Sequence, residues 1–208
     1  MTTRTITVIS AGLGQPSSTR LLADRLAEAT TSRLTERGHE VDLEVVELRD
    51  HARSLANTLL TGFATGPLGE VVERVGSSDG LVAVTPVFSA SYSGLFKLFF
   101  DVLDPDLLVG TPVLAGATGG TARHSLALEH AVRPLFSYLR SVVVPTAVYA
   151  APEDWAGGGA DTALADRIGR AAEELAALVS TREPGVADRR DGFEQPTPFE
   201  DLLFGDQR

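Results

Sequence analysis

The chain has 208 residues and a mass of 22.0 kDa, the size of one domain with a substantial hydrophobic core. Its formal net charge of -10 argues against a nucleic-acid-binding surface, which would require a basic face. The absence of cysteine excludes disulfides, thiolate nucleophiles and cysteine metal sites, and the four histidines lack metal-ligand spacing.

Strand and helix patterns alternate along the chain. Residues 4–10 are rich in β-branched side chains and lead into a loop rich in Gly, Pro and Ser, after which a helical pattern runs from Thr19 to about Gly38. Further strands are predicted at 41–48, 80–85, 112–117 and 142–150, and further helices at 66–77, 93–103, 125–139 and 161–179. Residues 51–65 are ambiguous.

Five strands that alternate with helices predict a doubly wound parallel α/β sheet with right-handed crossovers. Pro145 lies inside the last strand, which places that strand at a sheet edge, and Pro134 predicts a kink in the preceding helix. Five units with an edge strand at the end favour the flavodoxin-like order 2-1-3-4-5. We therefore predict a single domain over residues 1–180 and a C-terminal arm over 181–208 that is loose or docked.

The loop after the first strand, SAGLGQPSST, predicts a phosphate cradle. Ser10, Ser17, Ser18 and Thr19 supply hydroxyl groups, and two glycines let the backbone turn its N–H groups inward. The loop leads into a helix N-terminus, which favours an anion, and Arg20 adds a positive charge. A helix cap accounts for one or two of these hydroxyl residues, but four exceed what a cap needs. The loop matches neither the Walker A motif nor GxGxxG.

Two more loops follow neighbouring strands. After Thr85, the stretch 86–92 offers free backbone groups and the flat face of Phe88, which suit a planar ring; packing of Phe88 and Tyr92 on the core explains this stretch equally well. Residues 117–123, ATGGTAR, contain paired glycines that allow close backbone approach, although a glycine-rich helix start explains them as well. Because these loops share one crevice in the predicted order, together they suit flavin mononucleotide (FMN).

The stretch TPVFSASYSGLFKLFFD, residues 85–101, resembles the NADPH-dependent FMN reductase family, whose signature is Thr-Pro-x-Tyr-x-x-Ser-x-x-Gly-x-x-Lys. The matching residues are Thr85, Pro86, Ser91, Gly94 and Lys97. Phe88 stands where the family often has tyrosine, which keeps stacking but loses a hydroxyl contact. Residues 10–24 look like the family's phosphate loop, except that Leu13 or Gly14 stands where the family more often has arginine. Residues 117–139 are similar to an actinobacterial branch often encoded beside a flavin-dependent monooxygenase.

The resemblance implies an enzyme that binds FMN, oxidises NADPH or NADH, and supplies reduced flavin to a partner monooxygenase. It assigns the FMN phosphate to Ser10, Ser17, Ser18, Thr19 and Arg20. It assigns the wall of the isoalloxazine ring to Pro86, Val87, Phe88 and Ser89, and the other polar edge of that ring to Thr118, Gly119 and Gly120. Hydride transfer to flavin needs no side-chain acid or base, so no catalytic residue is named, and His124 is interpreted as a cap or surface residue.

Two other functions remain open on the same fold. The first is an NAD(P)H quinone or azo-dye reductase, which would use the same hydride chemistry on an organic acceptor. The second is a flavodoxin-like electron carrier, which is disfavoured because carriers usually have a Thr-rich phosphate loop with a single glycine. Oxidation of NAD(P)H separates an enzyme from a carrier, and a comparison of FMN with quinones separates the two enzymes.

The apolar helix 95–103 predicts an assembly. Apolar side chains surround most of it, whereas a helix on a sheet needs only one apolar stripe, so we expect a homodimer, or a tetramer, with Phe99 or Phe100 at the interface. The alternative is that the apolar C-terminal segment PFEDLLF folds over this helix. No apolar run reaches membrane-spanning length and no signal peptide is evident, so we expect a cytoplasmic protein without membrane or nucleic-acid partners.

Overall fold

The computed structural model describes residues 2–156 and 162–182. Its strands are β1 (Thr3–Ser10), β2 (Glu40–Glu47), β3 (Gly80–Phe88), β4 (Ser91–Tyr92), β5 (Pro112–Thr118), β6 (Val142–Val143) and β7 (Val148–Ala150). Its α-helices are α1 (Ser18–Glu36), α2 (Ala52–Thr61), α3 (Pro67–Gly76), α4 (Gly94–Asp101), α5 (Arg133–Tyr138), α6 (Pro152–Ala156) and α7 (Thr162–Thr181). Residues 183–208 of the predicted C-terminal arm lie outside the described residues, and Thr181 is the last residue of α7.

The strands form a parallel sheet in the order β2-β1-β3-β5-β6, and β7 also pairs with β5. The exception is β4, which adds two residues antiparallel to the end of β3. When β6 and β7 are taken as the two parts of the predicted fifth strand, this is the order 2-1-3-4-5. The prediction of a doubly wound sheet with its last strand at the edge is confirmed.

The sheet is covered on both faces, which explains why its central strands are apolar. One cluster joins β1 and β3 to α1 and α7, through side chains such as Leu22 and Leu175. The other cluster joins the opposite face to α2, α3, α4 and α5. Residues 81–84 of β3 are completely buried between the two clusters. Burial on both faces is the environment that its continuous apolar run predicts.

The prediction of one continuous strand over 142–150 is wrong. Val142–Val143 and Val148–Ala150 each pair with β5; the N–H of Val144 still donates to the Val113 carbonyl at 2.9 Å, and the chain then leaves the ladder until Val148. Pro145, which has no N–H group to donate, lies in this break. The carbonyl groups of Val144 and Pro145 accept hydrogen bonds from Arg133 at 3.1 and 3.0 Å instead. An arginine therefore satisfies acceptors that the interrupted strand leaves unpaired.

The helical segment before the last strands is also irregular. A 3₁₀ turn over Ala122–His124 and a π-helical turn over Leu128–Val132 precede α5, where the sequence predicts one kinked helix over 125–139. Pro134 is within the first two residues of α5, directly after the wider π turn. Because proline lacks an N–H group and its ring clashes in a regular helix interior, a wider turn before it relieves this conflict.

The expectation that α4 leaves Phe99 or Phe100 exposed is wrong. Phe96 and Phe99 are fully buried and Phe100 is 2% exposed. The ambiguous region 51–65 contains α2, which packs on α4 from within the same chain. Within the described part of the chain, no helix is both long enough and apolar enough to cross a membrane.

Candidate functional site

Three loops meet at the carboxyl ends of the central strands. Ser10 ends β1 beside Val84 of β3, and Pro86 of β3 lies beside Thr118 at the end of β5. The hydroxyl groups of Thr19 and Thr118 are 2.8 Å apart and hydrogen bonded, which joins the first turn of α1 to the end of β5. Both threonines are buried, so this bond lies beneath the crevice.

The first loop turns tightly into the N-terminus of α1. The Ser17 hydroxyl caps the helix by accepting a hydrogen bond from the Arg20 N–H at 3.2 Å. A Cβ atom at Gly12 would lie 2.1 Å from the Ser17 Oγ, so only glycine allows the backbone to pass beneath the cap. The first-turn N–H groups of a helix have no intrahelical acceptor and point out of its end, which suits a phosphate.

The predicted phosphate residues divide into two groups. Ser17 and Ser18 lie at the mouth of the loop, and Ser18 is exposed. Ser10 is completely buried, and its hydroxyl has no hydrogen-bond partner among the described residues. The hydroxyl of Thr19 is occupied by Thr118. The loop therefore has exposed hydroxyl and N–H donors, and an unpaired buried hydroxyl behind them, a donor set that fits the FMN phosphate.

The guanidinium group of Arg20, which was predicted to bind the phosphate, forms ion pairs with two carboxylates. Asp24 lies 2.7 Å from Nε and Glu47 lies 2.9 Å from an Nη atom. The sequence does not identify Arg49, which pairs with Glu47 at 3.0 Å and donates to the Gly14 carbonyl at 3.1 Å. These residues line a cleft of about 260 Å³ beside the first loop. The signal for Arg49 is its place just after β2, whose carboxyl end adjoins that of β1.

The second loop is a tight hairpin rather than an irregular turn. Ser89 and Ala90 both have positive φ, 48° and 68°, as a two-residue type I′ turn requires. Residues with a Cβ atom seldom adopt this conformation, and such strain is concentrated at functional sites. Phe88, at the end of β3, is 48% exposed, so about half of its surface is open to solvent. Pro86 is buried and Val87 is half-buried behind it.

The hairpin is anchored to α4. The Thr85 hydroxyl accepts a hydrogen bond from the Ser93 N–H at 3.0 Å and donates to the Pro86 carbonyl at 3.0 Å. Ser93 in turn caps α4, since its hydroxyl accepts a hydrogen bond from the Phe96 N–H at 3.2 Å. The Thr-Pro pair and the serine before Gly94 therefore hold the predicted ring wall on a rigid helix.

The third loop passes close to β7 and β3 at Gly119. A Cβ atom at Gly119 would lie 2.1 Å from the Tyr149 hydroxyl and 3.6 Å from the Val87 Cβ. Tyr149, which the sequence does not single out, donates from its hydroxyl to the Thr121 carbonyl at 2.8 Å. Burial and the nearby carboxylates of Glu153 and Asp154 raise the pKa of Tyr149, so the phenol stays protonated as this donor.

Replacement of Gly119 by alanine should destabilise the protein by about 1–3 kcal/mol, because the new methyl group overlaps the Tyr149 hydroxyl. Gly120→Ala is the matched control, since a Cβ atom there meets nothing within 4 Å, and it should change stability by less than about 0.5 kcal/mol. Urea unfolding of the flavin-free variants measures both. Equal stability of the two variants would contradict the close approach at Gly119.

No group of three or more histidine, aspartate or glutamate side chains is placed to hold a metal ion in residues 2–156 and 162–182. The site offers hydroxyl and backbone donors and an exposed aromatic ring, whereas the close approach at Gly119 is to Tyr149 of the same chain. These features can bind and orient a ligand that has an anionic end and a planar ring.

Comparison with known proteins identifies relatives with one activity. The family model described as NADPH-dependent FMN reductase matches residues 4–156. FMN reductase (NADPH) of Pseudomonas aeruginosa is 39% identical over 150 residues, which are 72% of this chain and 78% of that protein. NADH-dependent FMN reductase SfnE of Pseudomonas putida is 38% identical over 174 residues, which are 83% of this chain and 91% of that protein.

Two solved structures have the same fold. An oxidoreductase from Corynebacterium diphtheriae is 49% identical with a TM-score of 0.85, over 88% of this chain and 100% of that chain. The apo form of the NADH:FMN oxidoreductase EMOB is 25% identical with a TM-score of 0.74, over 95% of this chain and 99% of that chain.

Proposed function

The chain belongs to the NADPH-dependent FMN reductase family, and we propose that this NAD(P)H-dependent flavin oxidoreductase releases reduced FMN to a separate flavin-dependent monooxygenase. The observation that supports release is the openness of the crevice. Phe88 is 48% exposed and Ser18 is exposed, so no part of the described chain covers these residues and a flavin bound against them would have an open path to solvent. An open site favours exchange of the flavin over permanent retention.

The residues of this chain bind and orient the flavin and take no chemical part in the hydride transfer. FMN supplies the hydride-accepting chemistry when bound. We assign its phosphate to Ser17, Ser18 and the first turn of α1, with the Thr19–Thr118 bond holding that turn on the sheet. We assign its ring to the hairpin at Phe88 and its polar edge to the backbone at Gly119. This arrangement requires no side-chain acid or base.

Release is tested by anaerobic ultrafiltration. Protein incubated with NADPH and excess FMN should yield reduced FMN in the filtrate, because the product dissociates. Protein that has been loaded with FMN and freed of excess should lose flavin to the filtrate on reduction. Retention of all reduced flavin by the protein would contradict delivery to a partner.

The quinone-reductase alternative makes a different prediction for acceptors. With NADPH or NADH as donor, free FMN should give a kcat/KM at least about tenfold above that of simple quinones, because the phosphate cradle contributes only to FMN binding. Steady-state kinetics with both acceptors measure this ratio. A quinone preference together with tightly retained FMN would favour the alternative.

We also propose that a second copy of this chain covers an apolar face on the helical segment before β6. Tyr138, at the end of α5, is 79% exposed. A cavity of about 420 Å³ between α4 and α5 adjoins it, and Tyr92, Leu135 and Tyr138 line this cavity. This face adjoins the flavin-lining hairpin, and exposed apolar patches of this kind typically mark interfaces.

Tyr138→Glu should lower the mass measured by light scattering from that of a dimer or tetramer to that of a monomer, because the new charge would be desolvated at the interface. Leu60→Glu is the control, since Leu60 is 85% exposed on α2 and does not line this cavity, so the mass should stay unchanged. A wild-type protein that is monomeric at micromolar concentration would contradict the assembly.

A further inference from the structure

A third cavity adjoins the hairpin turn, and its charged and titratable lining residues are basic. It has a volume of about 360 Å³. Ala90 and Ser91 of the hairpin contribute to its lining, as do Arg123, His124 and His130, and the remaining lining residues, Leu126, Ala127 and Ala131, are apolar. No aspartate or glutamate lines it, although the protein has a net charge of -10. We call this cavity the basic pocket.

The charge of Arg123 is not neutralised within the described part of the chain. Arg20 and Arg49, at the first loop, both form ion pairs with Glu47, whereas no carboxylate pairs with Arg123 among residues 2–156 and 162–182. Arg123 is exposed. A cation without a partner beside the predicted ring wall attracts anionic ligands.

The carboxylate nearest in sequence to the basic pocket is already engaged. Glu129 precedes His130, but its two oxygens accept hydrogen bonds from Arg133 at 2.8 and 3.1 Å. These hydrogen bonds lower the pKa of Glu129, and the carboxylate lies outside the lining of the pocket. The pocket therefore keeps its positive charge for a ligand.

The loops of the flavin site also position the basic pocket. The backbone N–H of Arg123 donates to the Thr121 hydroxyl at 3.4 Å, and the Thr121 carbonyl accepts the hydrogen bond of Tyr149. On the other side, β4 packs against the π-helical turn that carries His130. The basic pocket and the predicted flavin wall are therefore parts of one structural unit.

We propose that the basic pocket binds a phosphate group of the reduced nicotinamide dinucleotide, with Arg123 as its main ligand. This inference rests on the proposed function, because a hydride donor must lie against the flavin at the hairpin. The hairpin turn separates the ring wall from the pocket by only a few residues, so a dinucleotide whose nicotinamide covers the ring extends its phosphates toward Arg123. A guanidinium group matches phosphate geometry with two parallel hydrogen bonds.

Binding is the first test, and it does not depend on turnover. Calorimetric titration should show NADP⁺ or NAD⁺ binding to wild-type protein, with Kd about tenfold higher in Arg123→Ala, a difference of about 1.4 kcal/mol. Arg170→Ala is the matched control, because it removes the same charge from an exposed position on α7, on the opposite face of the sheet. Equal affinities in the two variants, or no dinucleotide binding by wild-type protein, would overturn the proposal.

Kinetics provide the second test. Arg123→Ala should raise KM for NADPH, for NADH or for both by about tenfold while kcat stays within about threefold, since the lost contact is present throughout the reaction. N-benzyl-dihydronicotinamide, a hydride donor without phosphate, should react equally well with wild type and variant. If Arg123→Ala lost as much activity with this donor as with NADPH, the role of Arg123 in phosphate binding would be overturned.

The nucleotide dependence identifies which phosphate is bound. If Arg123→Ala raises KM for NADPH alone, Arg123 binds the 2′-phosphate. If it raises KM equally for NADPH and NADH, Arg123 binds the diphosphate. Both results support the proposal. Failure of the proposed function is distinguishable, because protein that binds NADP⁺ through Arg123 but reduces no FMN would refute the reductase activity alone. Normal FMN reduction without any effect of Arg123→Ala would refute the basic pocket alone.

Discussion

FMN should bind the flavin-free protein at least about a hundredfold more tightly than riboflavin, which lacks the phosphate. Two lost hydrogen bonds to a charged group, at about 1.5–3 kcal/mol each, correspond to at least this factor. The donors are those at the N-terminus of α1, where Ser17 caps the helix and Ser18 is exposed. Quenching of flavin fluorescence on titration with protein measures both affinities.

A variant of the first loop gives this prediction a structural control. Gly12→Ala places a methyl group 2.1 Å from the Ser17 Oγ and 3.2 Å from the Thr19 Cβ, so the cap must move. The variant should lose most of the preference for FMN over riboflavin. Gly169→Ala on α7, where a Cβ atom meets nothing within 4 Å, should keep it. Equal affinities of wild-type protein for FMN and riboflavin would refute the phosphate cradle.

Phe96→Ala should lower the free energy of unfolding by about 3–5 kcal/mol. Phe96 is fully buried, and its ring centroid lies 4.8 Å from that of Phe100 and 6.3 Å from that of Phe136. Truncation leaves a cavity in the aromatic cluster that supports the flavin-lining hairpin, since the Tyr92 ring of β4 rests 5.9 Å from Phe96. FMN affinity should therefore fall as well.

Phe63→Ala is the control for this substitution, because Phe63 is 77% exposed and its loss should change stability by less than about 0.5 kcal/mol. Urea unfolding and FMN titration of both variants provide the measurements. A Phe96→Ala protein as stable as Phe63→Ala would show that the aromatic cluster does not stabilise the fold.

The fold was predictable because its signals are local. Continuous apolar runs such as 81–84 indicate doubly buried strands, and the alternation of strands with helices limits the topology to a few orders. The helix α2 was missed in the ambiguous region 51–65, where the apolar residues do not share one buried face: Leu55 is buried, whereas Leu59 and Leu60 are exposed. Without α2, the sequence offered only the C-terminal segment PFEDLLF as an intramolecular partner for α4, and Phe99 or Phe100 was wrongly expected to be exposed.

The site was predictable only in part, because several of its contacts join residues far apart in sequence. The sequence indicates that hydroxyl groups cluster in the first loop, but the Thr19–Thr118 bond spans 99 positions. The same limit applies to Arg20, whose partner Glu47 comes from β2. Tyr149 was missed because the sequence places it inside a strand, whereas its hydroxyl determines the path of the third loop.

Anaerobic turnover is the direct test of whether this protein reduces FMN catalytically. Protein mixed with a large excess of both FMN and NADPH, without oxygen, should bleach the flavin absorbance of many equivalents of FMN per protein chain. A parallel reaction with NADH in place of NADPH tests the other hydride donor. Bleaching that stops at one equivalent per chain with both donors would identify a carrier that holds its flavin, and would contradict the reductase function.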